Sequence, residues 1–308
     1  MPSFGLSLTK TVSNHPHQHL VRVVFFKRFA VVRIFDLEHH QHILDADAFE
    51  KTLPQLSWHG EDLDVTVLFF QPLFQKMSKH VKVGLCGQGA DELHAGYPRY
   101  RNLAQHAELV DSRLNAMSHP LARKIENADL HVGEKWYRRD HSGHSHTNSL
   151  QEFLQFELEH GQLSNFQLRL VDRHSMAHSL EVRVPFLSQS HRQESNRLPM
   201  KWRLPSNGEE KAALRAAAAK TSLPRNIVSR PKLPAGRATS PRLIETLLND
   251  LKPYSDAVIE RHPLLSGALK TQPEIALGLG LFEAIHIHGE GLDKPSISTV
   301  DLLSVVTG

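Results

Sequence analysis

Cysteine is almost absent from this sequence of 308 residues, in which Cys86 is the only one. A single thiol cannot form an intrachain disulfide, so disulfide-stabilised folds are excluded, and the composition fits a reducing compartment. A large charge of either sign is also lacking, because 36 basic and 33 acidic residues leave a formal net charge of +3. This small surplus gives no reason to expect nucleic acid or a membrane surface as a partner.

Long hydrophobic runs are lacking as well. No apolar segment approaches the roughly 20 residues that a membrane-spanning helix needs. The most apolar stretch near the N-terminus, residues 23–35, is interrupted by Lys27, Arg28 and Arg33 and lacks the layout of a signal peptide. We therefore expect a soluble, cytoplasmic protein, and its 40% hydrophobic content is enough for a core.

The chain begins with a polar lead, residues 1–19, and the apolar residues 23–35 are then predicted to form one or two strands of a parallel sheet. From Asp45 the apolar positions recur at helical spacing, which predicts a helix through residue 58.

Farther along, residues 206–220 have the pattern of a capped helix, with Ser206 or Asn207 as the cap, acidic residues in the first turn and alanines in the body. The polar run from residue 138 to residue 149 predicts a surface loop. The final residues, 291–308, are predicted to be a flexible tail.

Histidine is unusually common, with 22 in the chain. Alternating histidines can bind a metal. No cysteine and few acids accompany any of the histidine clusters, so we favour the interpretation that these histidines do not bind a metal. The clusters are His15, His17 and His19, then His39, His40 and His42, then His141, His144 and His146.

The stretch from residue 81 to residue 101 has the pattern that bears most directly on function. It begins like a buried strand, continues into Gly87 and Gly89, and reaches Asp91 and Glu92 at a predicted helix start. Such a turn brings backbone amides close to an anion, and an acid just beyond it can hold a cation. The same spacing serves simple strand-to-helix reversals, so the spacing alone leaves both interpretations open.

The residues of this stretch, GQGADELHAGYPRY, resemble the SGEGxDELFGGY signature of the asparagine synthetase family, in its C-terminal ATP-using domain. Two more blocks follow in the family order, VDRHSMAHSLEVRVPFL at 171–187 and RPKLPAGRATSP at 230–241. The resemblance implies an α/β fold, a partial adenine-nucleotide alpha-hydrolase-like parallel sheet that lacks its first strand and carries a large helical complement. It also implies a divergent segment 1–36, a synthetase domain 37–290 that is incomplete at its N-terminal side, and the tail.

This resemblance also implies a specific chemistry. Family members use ATP and magnesium to adenylate a carboxylate, which an amine then attacks; in asparagine synthetases the substrates are aspartate and ammonia. By matched position, Asp91 would bind magnesium, and Gly87 and Gly89 would border ATP. Lys232 would be the catalytic cation that stabilises charge on the leaving group.

Four charged residues in the second block match a network that in the family lies beside the nucleotide site: Asp172, Arg173, Glu181 and Arg183. Glu181 and Arg183 alternate with valines, so on a strand both would share one face and could pair there. A structural salt bridge is the favoured interpretation over direct contact with substrate.

The chain departs from the family pattern at several places. Gln88 replaces the family glutamate, and an amide cannot accept a proton from the attacking amine at neutral pH. Ser188 stands where the family has aspartate, and residues 67–70 lack an expected arginine. No SGGxDSS pyrophosphate loop occurs in the sequence, and Pro2 stands where the glutaminase nucleophile would be a cysteine.

Three hypotheses follow from these departures. In the first, the chain is the synthetase half of a split asparagine synthetase. It is then inactive alone and depends on a partner chain that supplies the glutaminase and the pyrophosphate loop. Alternatively, it is a non-catalytic remnant, or pseudoenzyme. A further alternative is another amide-forming ligase of the superfamily, similar to β-lactam synthetase.

Overall fold

The structure, a computed structural model, describes residues 3–8, 31–44, 46–67, 70–118, 120, 146–159, 161–232, 241–289 and 297–308. These residues are mostly helical and include short parallel strands. This arrangement is compatible with the predicted α/β class.

The strands of the described residues form two parallel pairs. β1 (Ser3–Leu8) runs beside β2 (His39–Leu44), and β3 (Val83–Leu85) runs beside β4 (Glu181–Arg183). Within the described ranges, no strand hydrogen bonds join one pair to the other. Parallel partners need a crossover connection, and helices lie between β3 and β4 in the sequence.

The N-terminal prediction is wrong in two respects. Ser3–Leu8, predicted to be part of a polar lead, forms β1, in which Phe4, Leu6 and Leu8 alternate with smaller residues at the period of a strand. Residues 31–34, predicted as strand, are helical. The rest of the predicted strand, residues 23–30, lies outside the described residues.

The helices carry most of the described chain, and none of them is both long and apolar enough to cross a membrane. In chain order they are α1 (Ala46–Gly60), α2 (Phe70–Ser78), α3 (Ala90–Leu93), α4 (Leu103–Asn115), α5 (His146–Glu159), α6 (Leu168–Met176), α7 (Gln189–Arg197), α8 (Met200–Arg203), α9 (Ala212–Ala218), α10 (Arg225–Val228), α11 (Pro241–Asp250), α12 (Lys252–Arg261), α13 (Ser266–Leu269), α14 (Pro273–Phe282) and α15 (Thr299–Thr307).

Shorter helical turns connect several of these elements. The 3₁₀ turns span Val65–Val67, Pro98–Arg101 and Pro185–Leu187, and the π-helical turns span Leu163–Gln167 and Glu283–Ile287.

The largest core cluster joins α1 to the C-terminal helices. Phe49, Leu53 and Leu56 lie on one face of α1 at the predicted helical spacing, and all three are fully buried. They belong to the same cluster as apolar residues of α11, α12, α14 and α15. α1 precedes β3, which leads into the glycine turn, and α11 to α15 lie near the C-terminus. This core therefore joins the N-terminal side of the described domain to its C-terminal side.

Two smaller clusters hold the elements around the glycine turn. Phe74 and Met77 of α2 pack with Val171 of α6 and with Leu180, just before β4. A second cluster includes Tyr100 and apolar residues of α5. The two clusters therefore pack elements that precede and follow the glycine turn in the sequence.

The helix predicted for residues 206–220 is shorter than expected. α9 begins only at Ala212, because Asn207 Oδ1 accepts a hydrogen bond from the Glu209 amide and Gly208 takes a positive φ of 74°. This local turn competes with helix formation. The loop predicted for residues 138–149 also ends early, because α5 starts at His146, and residues 138–145 lie outside the described ranges.

The flexible-tail prediction is wrong for residues 299–307. They form α15, and Ser298 caps it by accepting a hydrogen bond from the Asp301 amide. Leu302 and Leu303 are fully buried in the main core. The domain boundaries at residues 36 and 290 remain a prediction.

Candidate functional site

The turn between β3 and α3 places Asp91. Gly89 has a φ of +86°, in the left-handed region that favours glycine, and a Cβ added there would overlap the Leu187 side chain. A Cβ added at Gly87 would meet no atom of the described residues within 4 Å. The turn is therefore closed by protein at Gly89 and open at Gly87.

Asp91 lies beside two lysines that come from a distant part of the sequence. Lys232 Nζ donates a hydrogen bond to Asp91 Oδ1, and Lys211 Nζ lies 3.0 Å from the same oxygen. The Lys232 ammonium also lies 4.2 Å from the centre of the Tyr97 ring, a cation–π contact. The structure thus brings together Asp91 and Lys232, which the sequence analysis had assigned to one site.

Burial affects the pKa of one member of this cluster, Lys232. It lowers the pKa of Lys232, while the Asp91 carboxylate acts in the opposite direction. Each of the Asp91, Lys211 and Lys232 side chains is still about one-fifth exposed, between 17% and 22%. A polar ligand can therefore reach these groups from solvent.

Glu92, next to Asp91, is fully buried. Neither of its carboxyl oxygens has a hydrogen-bond partner among the described residues. Burial raises the pKa of Glu92 to about 7, and the charge of Asp91 adds to the rise. At neutral pH, Glu92 therefore contributes only part of a negative charge to the site.

Arg215 of α9 fixes the backbone beside both lysines. Its guanidinium donates to the carbonyl of Glu210, just before Lys211, at 3.0 Å. It also donates to the carbonyl of Arg230, two residues before Lys232, at 2.9 Å. One side chain thus ties together the two segments that carry the ammonium groups.

The back of α3 is held by a buried histidine. His94 Nε2 lies 2.9 Å from His191 Nε2 on α7. Burial and the neighbouring His191 lower the pKa of His94 to about 4. Arg203 Nη1 donates to the Leu93 carbonyl on the same side at 3.4 Å, so several contacts fix the short helix.

Gln88 and Cys86 lie in the same turn as the glycines, and both are partly buried. The Cys86 amide donates to the Arg183 carbonyl at 2.8 Å, which extends the pairing of β3 with β4. Burial raises the pKa of the Cys86 thiol. A thiol held in its protonated form is a poor nucleophile.

The four residues of the matched charged network divide into separate contacts. Glu181 and Arg183 pair on the exposed face of β4, with Oε1 and Nε 2.8 Å apart. Arg173 reaches the end of α1, where it donates to the Gly60 carbonyl at 2.9 Å. Asp172 lines an open cleft of about 570 Å³ between α6 and β4.

The comparisons with known proteins agree with this arrangement. The family described as Asparagine synthase matches residues 29–267, which include β3, the glycine turn and both lysines. The chain belongs to the asparagine synthase family. Asparagine synthetase [glutamine-hydrolyzing] 1 of Bacillus subtilis is 25% identical over 242 residues. Asparagine synthetase [glutamine-hydrolyzing] of Cricetulus griseus is 24% identical over 202 residues.

The matches cover only part of these relatives. The aligned region is 64% of this chain and 37% of the Bacillus subtilis protein. For the Cricetulus griseus protein the shares are 63% and 28%. The chain thus matches between 28% and 37% of the length of these relatives.

The residues of this cluster are of the types that fit a magnesium-bound phosphate. Carboxylate oxygens are the protein ligands that magnesium prefers, and the partly exposed Asp91 supplies one carboxylate, whereas Glu92 beside it is fully buried. Ammonium groups bind phosphate oxygens, and Lys211 and Lys232 supply two. Among the described residues, no group of three or more His, Cys, Asp or Glu side chains could hold an ion by itself.

Sequence reasoning missed that Lys211 and Tyr97 lie beside Asp91 and Lys232. Tyr97 belongs to the signature segment, so its presence near Asp91 could have been found there. The helix predicted for residues 206–220 includes Lys211. In the structure Lys211 has a left-handed φ of 55° and lies just before α9. No local sequence signal indicated this.

Proposed function

We propose that the chain supplies the Asp91 and Lys232 wall of an asparagine synthetase-like adenylating site. The observation that carries the proposal is the hydrogen bond between Lys232 and Asp91, which joins the first and third family blocks at one place. Membership of the asparagine synthase family supports it, since the match spans both residues.

In the proposed reaction, ATP and aspartate are substrates. A side-chain carboxylate oxygen of aspartate attacks the α-phosphorus of ATP, and pyrophosphate leaves with the electron pair of the broken bond. Ammonia then attacks the acyl carbon, AMP leaves, and a proton is lost to give asparagine. Lys232 neutralises the charge that builds on the leaving group.

Other residues of the chain bind and orient the substrates. Asp91 holds magnesium, which when bound neutralises the negative charge of the phosphate oxygens. The open space at Gly87 lets the nucleotide approach the backbone, and Gly89 keeps the turn against Leu187. Gln88 orients the amine by hydrogen bonding, since it has no basic group to remove a proton.

The function proposed for these 308 residues alone is binding of ATP with magnesium, and not synthesis of asparagine. The SGGxDSS loop and a glutaminase cysteine at the second position do not occur in the sequence, so glutamine-dependent synthesis of asparagine would require a further polypeptide to supply both. Exposed Val83 and Leu85 on β3 are compatible with contact to such a further segment.

A second candidate is a non-catalytic protein that has kept the fold. Gln88 favours it, because an amide cannot accept the proton that the family glutamate would accept, and both lysines already pair with Asp91 Oδ1. The two candidates differ in whether nucleotide displaces the lysines.

Pyrophosphate release from ATP with magnesium, ammonia and a panel of carboxylates tests the proposal. We expect no release from the 308 residues alone, and aspartate-dependent release after addition of a polypeptide that carries the SGGxDSS loop. Release should be lost in Lys232→Ala and kept in Lys220→Ala, a control at an exposed lysine beyond α9. Release with another carboxylate would instead favour a different amide-forming ligase, and no release in any mixture would favour the non-catalytic protein.

A further inference from the structure

Tyr97 connects the Lys232 ammonium to the packed interior of the domain. The ammonium lies 4.2 Å from the centre of its ring, and Tyr97 also packs against the core cluster that contains Tyr100. We propose that Tyr97 is a positioning residue of the candidate site, and that its ring face holds the Lys232 ammonium where this group meets the nucleotide. This inference rests on the proposed function, because it concerns the lysine of the same site.

The backbone at Tyr97 is set by its two neighbours. Pro98 begins a 3₁₀ turn, and a proline disfavours a helical conformation of the residue before it. Tyr97 accordingly has an extended backbone, with a φ of −97° and a ψ of 144°. Gly96 lacks a side chain, and a Cβ added there would overlap Asp91 Oδ1. The sequence Gly-Tyr-Pro therefore brings Tyr97 close to Asp91 in the fold.

The Tyr97 side chain is held at both its hydroxyl and its ring. Gln167 Nε2, in the π-helical turn before α6, donates a hydrogen bond to the Tyr97 hydroxyl at 2.7 Å. The Arg99 guanidinium lies 4.2 Å from the centre of the Tyr97 ring. Arg99 is itself held by a hydrogen bond to the buried Glu157 carboxylate. Contacts other than the one with the lysine therefore fix the orientation of the ring.

A ring face suits a lysine that also has to bind an anion. The ring attracts a cation through its quadrupole, and a lysine ammonium has three hydrogen-bond donors. Lys232 gives one donor to Asp91, so the contact with Tyr97 holds the ammonium while its other donors can turn to phosphate oxygens. Burial raises the pKa of Tyr97, so its phenol stays neutral and adds no negative charge that would compete for Lys232.

Packing alone is the competing interpretation, since Tyr97 lies against the cluster that contains Tyr100, Leu150 and Phe153. Two substitutions separate the interpretations. Tyr97→Phe keeps the ring and loses the hydroxyl that Gln167 binds, whereas Tyr97→Leu keeps an apolar side chain and loses the ring face. Positioning predicts that leucine is much the worse of the two for nucleotide binding. Packing predicts no specific loss of binding in either variant.

A double-mutant cycle on stability tests the contact without relying on nucleotide. Urea unfolding is measured for the full chain as wild type, Tyr97→Leu, Lys232→Ala and the double variant. We expect the two changes to be non-additive, with a coupling of about fivefold in the unfolding equilibrium constant. Additive changes would show that the ring does not hold the ammonium and would overturn the inference.

Titration calorimetry of the same proteins with ATP and magnesium tests whether the contact serves the ligand. We expect Tyr97→Leu to weaken binding about tenfold, and Tyr97→Phe to weaken it by at most about threefold. Tyr254→Leu makes the same chemical change at a tyrosine that packs against the main core, and its affinity should equal that of the wild type. Equal losses in Tyr97→Leu and Tyr97→Phe would overturn the inference, because the ring would then not be the part that matters.

The outcomes separate this inference from the proposed function. Undiminished binding in Tyr97→Leu, together with a loss in Lys232→Ala, removes the role of Tyr97 and leaves the proposed function standing. A wild-type chain that does not bind ATP with magnesium contradicts both, even where the stability cycle shows coupling between Tyr97 and Lys232.

Discussion

Lys232 and Asp91 are 141 residues apart in the sequence, yet the lysine ammonium donates a hydrogen bond to the carboxylate. The contact depends on two separate pieces of local structure. The glycine turn after β3 places Asp91, and the segment held by Arg215 places Lys232. The glycine turn and the segment held by Arg215 can therefore be altered separately.

Gly89→Ala should lower the free energy of unfolding by about 2–4 kcal/mol. Alanine would have to keep the positive φ of Gly89, which is strained for a residue with a side chain, and its Cβ would overlap Leu187. Gly87→Ala is the matched control, because its Cβ would meet no described atom within 4 Å, and its stability should stay within about 0.5 kcal/mol. Urea denaturation measures both, and equal effects would contradict the assigned turn geometry.

Glu157→Ala should destabilise the protein by about 3 kcal/mol or more. Glu157 is buried, receives hydrogen bonds from Arg99 and Tyr100, and its loss leaves the Arg99 charge uncompensated. Glu181→Ala breaks an exposed ion pair and should cost at most about 1 kcal/mol. A larger loss for Glu181 than for Glu157 in the same denaturation experiment would reverse this ranking and refute it.

Acid should destabilise the protein through His174. This residue is fully buried, neither ring nitrogen has a partner among the described residues, and burial with nearby His59 and His178 lowers its pKa to about 4. Between pH 6.5 and pH 4 the unfolded chain binds a proton that the folded chain does not. Stability from this group is therefore present above pH 6.5 and is lost as the pH falls.

The variant His174→Met isolates this effect. His174 should lower the free energy of unfolding at pH 5 by about 2 kcal/mol relative to pH 7.5. In the variant, the difference in the free energy of unfolding between the two pH values should shrink by that amount. Glu92, whose raised pKa acts with the opposite sign, is present in both proteins and cancels in the comparison. An unchanged pH dependence would show that His174 is not the group responsible.

Leu302→Ala should lower the free energy of unfolding by about 3 kcal/mol, because α15 buries this side chain completely in the main core. Val305 on the same helix is 43% exposed, and Val305→Ala should have an effect close to zero. Chemical denaturation of both variants checks whether the C-terminal helix is part of the folded domain. Similar small effects would support the flexible tail predicted from the sequence.

Several features of the site could be predicted because they depend on nearby residues. The strand, glycine turn and acid of residues 81–91 follow one another directly, and the structure has β3 followed by the turn and α3. The pairing of Glu181 with Arg183 follows from the two-residue period of a strand. Position in the third block also predicted that Lys232 lies near Asp91.

Other features could not be predicted because distant or competing contacts decide them. The hydrogen bond from the Glu209 amide to Asn207 delays the start of α9, and Lys211 takes a left-handed backbone conformation just before this helix. α15 is short and near the end of the chain, so only its packing on the core identifies it as structured. The strand of residues 3–8 precedes a long polar segment that obscured its alternating pattern.

Binding of ATP with magnesium to the purified chain, measured by titration calorimetry, tests the central claim most directly. The wild type should bind weakly, Lys232→Ala should bind about tenfold more weakly or not measurably, and Lys220→Ala should match the wild type. Equal affinity of the wild type and Lys232→Ala, or no binding by the wild type, would contradict the assignment of the Asp91 and Lys232 cluster as a nucleotide site.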